Sequence, residues 1–412
     1  MENENFPIVK TCQTNGTYFR IQKSIFHPMN KIILPVAAAV VLFASCTKDK
    51  DNETLKVPYE TLSTSTNYFT TFKGADGNTS VDFSGQTTRI NMLKEMDAYI
   101  KTFGTAPLSV AKLNNMFANT STPFTAAELN AATDKTIISK TAQSFSATDA
   151  DAERTWFKKH FDSVAVASTY AGQTAAIGVP GKLGSYLVNG KGFEYAQFIQ
   201  KGLMGAMMLD QISNIYLGTE KMNADNEVIV SGKNYTALEH HWDEAYGYLT
   251  ANEVYPKQDP ADATKWLESY LGSYVRQVNG AYGDPTAVYL AFVKGRAAIV
   301  NKDRATLDVQ IAYIRASLEK AVATIAISYL NKTKTATSDA ARFHALAEGA
   351  GFIYSLRFAN SAKIGKAKSD ALLASLMNKE NGFWSLTNAD IDVVRDDIAN
   401  TFSISKDAIV NH

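Results

Sequence analysis

The sequence predicts an all-α protein behind an export signal, and three observations carry that expectation. Apolar residues recur at spacings of three and four from residue 88 almost to the C-terminus. Strand-like alternation is confined to two short pieces, 66–73 and 227–231. An apolar run near the start is too short to span a bilayer as a mature helix.

That run comes first in the chain. Met29-Asn30-Lys31, the stretch Ile32 to Ala44, and then Ser45-Cys46 give the basic head, apolar core and small residues before the cut of a lipoprotein signal peptide. Cys46 is then the lipidated first mature residue, with Phe43 where Leu is usual three positions before it. Residues 1–28 show no periodic pattern, so Met29 is the expected true start and 1–45 is leader plus signal. Residues 46–57 read as a tether, charged and unpatterned from Thr47 to Glu53. The tether resembles the acidic export tag of surface lipoproteins of Bacteroidota. That likeness implies an outer-membrane lipoprotein at the cell surface in preference to the periplasmic face.

The body, 58–412, reads as one helical domain or two sub-bundles. Leu93, Met96, Ile100 and Phe103 mark one face of a first helix, near 88–103. Comparable patterns place helices near 109–118, 125–143, 149–170, 192–217, 234–250, 261–279, 285–301, 305–331, 337–359, 366–377 and 388–402. Gly, Pro, Asn and Asp separate them. The Gly-rich stretch from Gly172 to Gly192 is too long for a simple connection and reads as an ordered loop, or a lid over one end of the bundle.

Composition excludes some functions. Forty-one basic residues balance 41 acidic ones, which leaves no charge excess to attract nucleic acid. Cys12 lies in the leader and Cys46 takes the lipid, so neither a disulfide nor a thiolate metal site is available. Any metal must be held by His, Asp, Glu or Tyr.

Two segments 104 residues apart share a pattern. His240-His241-Trp242-Asp243-Glu244-Ala245-Tyr246-Gly247 aligns without a gap to His344-Ala345-Leu346-Ala347-Glu348-Gly349-Ala350-Gly351. On a helix, His and Glu at i and i+4 project from one face, and a glycine one turn later admits a neighbouring helix closely. Chance likeness and a duplicated helical unit both explain the match. If the segments converge, His240 or His241, Glu244, His344 and Glu348 form a two-imidazole, two-carboxylate set of the kind that holds iron, zinc or manganese in bundles. If they do not, each pair is satisfied within the core. Glu does not follow the first His directly, so the zinc-protease signature is absent. Asp210 and Arg296 are isolated charges in apolar surroundings, and each needs a partner, conceivably the other.

Tyr186-Leu187-Val188-Asn189-Gly190-Lys191-Gly192-Phe193-Glu194-Tyr195, Lys201-Gly202-Leu203-Met204-Gly205-Ala206 and His241-Trp242-Asp243-Glu244-Ala245-Tyr246-Gly247-Tyr248 together resemble a helical lipoprotein family of Bacteroidota known only as a domain of unknown function. That family is distantly similar to imelysin-like proteins. The likeness implies two interlocked helical bundles and a role in iron uptake at the envelope, beside an outer-membrane receptor. The imelysin motif Gly-x-His-x-x-Glu is met only in part, because Glu239 stands where the glycine belongs. The expected function is therefore capture of iron, another metal or an iron complex, with the lipid on Cys46 as the membrane contact. The alternatives are a metal-dependent hydrolase with Glu244 or Glu348 as base, and a helical glycan-binding lipoprotein.

Overall fold

Ser, Thr and Asp side chains set where helices begin. In the computed structural model, which describes residues 55–251, 258–259, 262–266 and 268–410, Ser109, Ser146, Thr236, Asp303, Ser338 and Thr387 each accept a hydrogen bond from a backbone N–H in the turn that follows. Thr236 and Thr387 complete capping boxes with Glu239 and Asp390. The expected leader, Cys46 and the tether up to residue 54 lie outside the described residues.

Eleven helices of nine or more residues are present among the described residues: α1 Ser84–Ile100, α2 Val110–Ala118, α3 Ala147–Ser168, α4 Tyr195–Leu203, α5 Ala237–Leu249, α6 Tyr270–Tyr282, α7 Ala287–Val300, α8 Arg304–Thr335, α9 Asp339–Ser355, α10 Lys366–Met377 and α11 Asn388–Phe402. The all-α expectation holds, and α10 and α11 fall on the expected bounds. Helix α8 is the spine, about 48 Å long at 1.5 Å per residue, with α6, α7, α9 and α11 packed along it. Its face from Leu318 to Leu330 is almost wholly buried because it has neighbours on several sides. Helix α9 also packs on α4, α4 on α3, and α5 on α1 and α7. One hydrophobic cluster runs from Tyr68 to Val410 within the compact unit Thr54–His412.

Helix α4 does not end at Leu203. It continues into π-helical turns, Met204–Leu209 and Gln211–Tyr216, with Asp210 between them. The expected 192–217 helix is therefore present, with its second half under-wound.

Four expectations need correction. The 125–143 helix shrinks to Ala127–Ala131 and a 3₁₀ turn at Ile138–Lys140. The reason is Asn119, whose side-chain amide donates to the carbonyls of Leu129, Ala132 and Lys135 and so ends the helix early. The 66–73 strand is instead a helical turn, Tyr68–Thr71, capped by Asn67. In 227–231 only an isolated bridge, Ile229 to Thr236, is formed. The 261–279 helix begins at Tyr270, and Asp262–Trp266 forms strand β4 of a second hairpin. In the Gly-rich stretch, Gly181–Leu183 (β1) and Tyr186–Val188 (β2) make an antiparallel hairpin, and Gln258–Asp259 (β3) pairs with β4. No helix of the described residues is long and apolar enough to cross a membrane.

Candidate functional site

The two His-x-x-x-Glu segments occupy α5 and α9 and serve separate clusters. On α5, Glu244 is saturated with donors: Gln86 Nε2 at 3.0 Å, Tyr216 OH at 3.0 Å and His241 Nδ1 at 3.1 Å, with His240 Nε2 at 3.9 Å. Burial works against the Glu244 charge, but the His241 bond, the nearby His240 and the amide and phenol donors outweigh it and lower its pKa. On α9, His344 lies between two carboxylates. Its Nδ1 is 2.7 Å from Glu194 Oε2 and its Nε2 is 3.5 Å from Glu348 Oε2.

The same local device is built twice. Each segment's first His stacks on a tyrosine, His240 on Tyr235 at 4.5 Å and His344 on Tyr186 at 4.0 Å between ring centroids. Each Glu bonds a further tyrosine, Tyr216 or Tyr329. Each following glycine admits a neighbouring helix. A Cβ on Gly247 would sit 2.4 Å from Phe83 Cβ of the segment leading into α1, and one on Gly351 would sit 2.5 Å from Lys201 Cβ of α4.

The α9 cluster lines a cleft. Lys201 is 4% exposed, and its Nζ lies 3.0 Å from Glu348 Oε1 and 5.1 Å from the centroid of the Tyr274 ring. Burial disfavours the Lys201 charge, yet Tyr274 and Glu348 outweigh it and raise its pKa. For His344, burial again opposes ionisation, and the bond and charge of Glu194, helped by Glu348, prevail and raise its pKa. Lys201 and His344 therefore share Glu348, with Glu194 on the other nitrogen of His344. Next to them, Gln200 Nε2 at 2.6 Å and Tyr270 OH at 2.7 Å donate to Asp97, whose carboxyl is pushed up by burial. A cavity of about 750 Å³ opens between these groups, walled by α1, α4, α6, α8 and α9 and bordered by Lys94, Tyr270, Tyr274, Gln277 and Tyr329. A second cavity, about 410 Å³, lies on the other side of Lys201, His344 and Glu348, under Tyr186 and Leu187 of the β1–β2 hairpin. Tyr186 and Leu187 of the Gly-rich segment, read from sequence as an ordered loop or a lid, thus line this end of the cluster.

The sequence pattern of residues 67–405 matches the family described as Domain of unknown function (DUF4856). The chain belongs to the DUF4856 family. No curated protein and no solved structure matches it.

In this DUF4856 domain the expected shared metal centre is not assembled. Glu244 and Glu348 have no partner in common, and both nitrogens of His344 already face carboxylates. Among the described residues no group of three or more His, Cys, Asp or Glu side chains is placed to hold a metal ion. The physical reason is placement: Glu244 faces Gln86, Tyr216 and His241, whereas Glu348 faces Lys201 and His344.

The Asp210–Arg296 pair is likewise replaced by other partners. Arg296 is fully buried in α7, with Nε 3.1 Å from Asp243 Oδ1, a terminal nitrogen 2.7 Å from Glu239 Oε1, and the other 3.0 Å from Ser80 Oγ. Glu239, the residue that breaks the imelysin motif, therefore has a structural use. One cation meets two carboxylates here, and burial holds the Asp243 carboxyl well above the ordinary range. Asp210 is bound by Ser144 through both its backbone N–H and its hydroxyl, and by Asn214 Nδ2 at 2.9 Å.

Sequence reading missed Glu194, Lys201, Asp97, Tyr270, Tyr274 and Tyr329. Lys201 carried a usable signal, since it sits among Phe198, Ile199, Gly202, Leu203 and Met204 much as Asp210 sits in its own apolar run. The tyrosines carried none, because they come from two helices, α6 and α8, that only the fold brings together.

Proposed function

We propose that this DUF4856 protein is a lipid-anchored binding protein of the cell envelope, and that its 750 Å³ cleft receives a neutral, polyhydroxylated ligand of carbohydrate type. The observation that carries this reading is the composition of the cleft wall. The partly exposed rings of Tyr270 and Tyr274 border the cleft with apolar surface for sugar C–H groups, while Asp97, Gln200, Gln277 and Glu348 place amide and carboxylate groups along it. Lys94, Lys101 and Lys201 offset Asp97, Glu268 and Glu348, so neither sign of charge dominates the wall. Nothing in the cluster resembles an activated nucleophile, which favours binding over turnover. Metal capture and metal-dependent hydrolysis lack a ligand set among the described residues. The envelope location rests on the signal pattern ending at Cys46.

The test is calorimetric titration and thermal shift of the full chain against a panel of neutral oligosaccharides, with metal content measured by mass spectrometry in parallel. A saturable rise in Tm for one sugar class, as linkage requires for a ligand that binds only the folded state, is expected and should be lost in Tyr274→Ala. Stoichiometric metal in the parent, lost in His344→Ala with Glu348→Ala, would overturn the reading in favour of metal capture.

A further inference from the structure

A hairpin tip just ahead of α5 stands out on the surface. Val228, Ile229 and Val230 are 65, 51 and 38% exposed, three consecutive branched apolar side chains in a protein that buries most others. The tip is held firmly. Val230 N–H donates to the Tyr235 carbonyl at 2.9 Å, Ile229 bridges Thr236, and Asp225 Oδ1 accepts from the N–H groups of Glu227 and Val228.

Its base is pinned to the α7–α8 turn: Asn226 Nδ2 donates to the Ile299 carbonyl at 2.8 Å, and Lys302 Nζ to the Asn226 carbonyl at 3.2 Å. The same turn holds the beginning of the body. Val57 N–H donates to Asn301 Oδ1 at 2.9 Å, Asn301 Nδ2 to the Val57 carbonyl at 2.8 Å, and Tyr59 OH to Asp303 Oδ2 at 2.9 Å. The apolar tip and the point where the tether leaves the body therefore share one edge of the molecule. Eleven residues, 47 to 57, carry the chain from Cys46 to Val57. Even fully extended they reach no more than about 40 Å, so a lipid on Cys46 keeps this edge close to the bilayer.

We infer that the Val228–Ile229–Val230 tip is a membrane-docking element that enters the headgroup region of the leaflet holding the Cys46 lipid. This rests on the lipoprotein reading. Lys233 and Lys302, both exposed and paired with Asp82 and Glu227, flank the tip and suit a headgroup layer. Three side chains are too few to hold a free protein at a membrane. A lipid held eleven positions before Val57 in the same chain changes that, because it supplies an effective concentration in the millimolar range. Docking then fixes the orientation of the body, which a tether alone leaves free.

The experiment uses the full chain made with its leader in a host that lipidates, and reconstituted in phosphatidylethanolamine–phosphatidylglycerol vesicles. A single thiol is introduced by Ile229→Cys or, as a distant exposed control, Val393→Cys, and labelled with an environment-sensitive fluorophore. A lipidated Cys46 has its sulfur in a thioether and does not label. Mass spectrometry first reports whether the lipid is present. The expected result is iodide quenching at 229 lowered roughly threefold or more relative to 393, with quenching by lipid-borne spin labels at 229 alone, as burial about 5–10 Å into the interface demands. Equal quenching at both positions on a lipidated chain would overturn the docking and leave the anchor standing. A chain that acquires no lipid would overturn both. Protection at 229 in native envelopes but not in vesicles would assign the tip to a protein partner and overturn the bilayer as its occupant.

Discussion

Arg296 shows how strongly one residue can constrain this fold. It is wholly buried, its charge is met by Asp243 and Glu239, and the Phe72 ring lies 5.1 Å from its guanidinium carbon. Arg296→Met should destabilise the protein by about 3–5 kcal/mol, because it strands two carboxylates without their cation. Urea denaturation reads this directly, and a loss below about 1 kcal/mol would mean that the cluster relaxes freely. His344 makes a pH-dependent case. Its folded pKa is raised by Glu194 and Glu348 against the cost of burial. The stabilisation is therefore fully present below the unfolded value of about 6.5 and is lost as pH rises through the higher folded value. Wild-type Tm should fall between neutral and mildly alkaline pH, and His344→Gln should flatten that slope. Parallel profiles for the two proteins would show that the imidazole is not the group responsible.

At the scale of elements, the glycines after each His–Glu pair set how closely helices approach. Gly247→Ala and Gly351→Ala add a methyl at 2.4 Å from Phe83 Cβ and 2.5 Å from Lys201 Cβ. Overpacking of that kind costs about 1–3 kcal/mol, while the gain in helix propensity returns up to about 1 kcal/mol. Both variants should lose stability in thermal unfolding, and a gain in either would show that its helix pair can separate at little cost. The helices themselves were largely legible from periodicity and caps, most cleanly at α10 and α11. The failures have local causes. Asn119 takes carbonyls that would have prolonged the 125–143 helix, and strand formation displaces the helix start to Tyr270. The candidate site was half legible. His344 and Glu348 announced themselves by spacing, but Glu194, Lys201 and the tyrosines reach the cleft by tertiary packing. No single-sequence spacing encodes which of two similar helices will face a given neighbour, so spacing left open whether α5 and α9 converge, and the fold gives the alternative in which each His–Glu pair is satisfied in its own cluster.

For the whole molecule, the anchor and the body make separable predictions. If Cys46 carries a lipid, as proposed above, Cys46→Ser should move the protein from the membrane fraction to the soluble fraction of the envelope without changing the Tm of the body, whose core begins at Tyr68. Fractionation and thermal unfolding check the two halves of that statement. Persistence in the membrane fraction would count against lipid as the attachment. The bonds from Val57 and Tyr59 to Asn301 and Asp303 join residues 244 positions apart. At a synthesis rate of about 5–20 residues per second, the acceptors follow the strap by roughly 10–50 s. The first part of the body to emerge is thus among the last to be fastened, and the edge beside the tether is assembled only after most of the chain has been made.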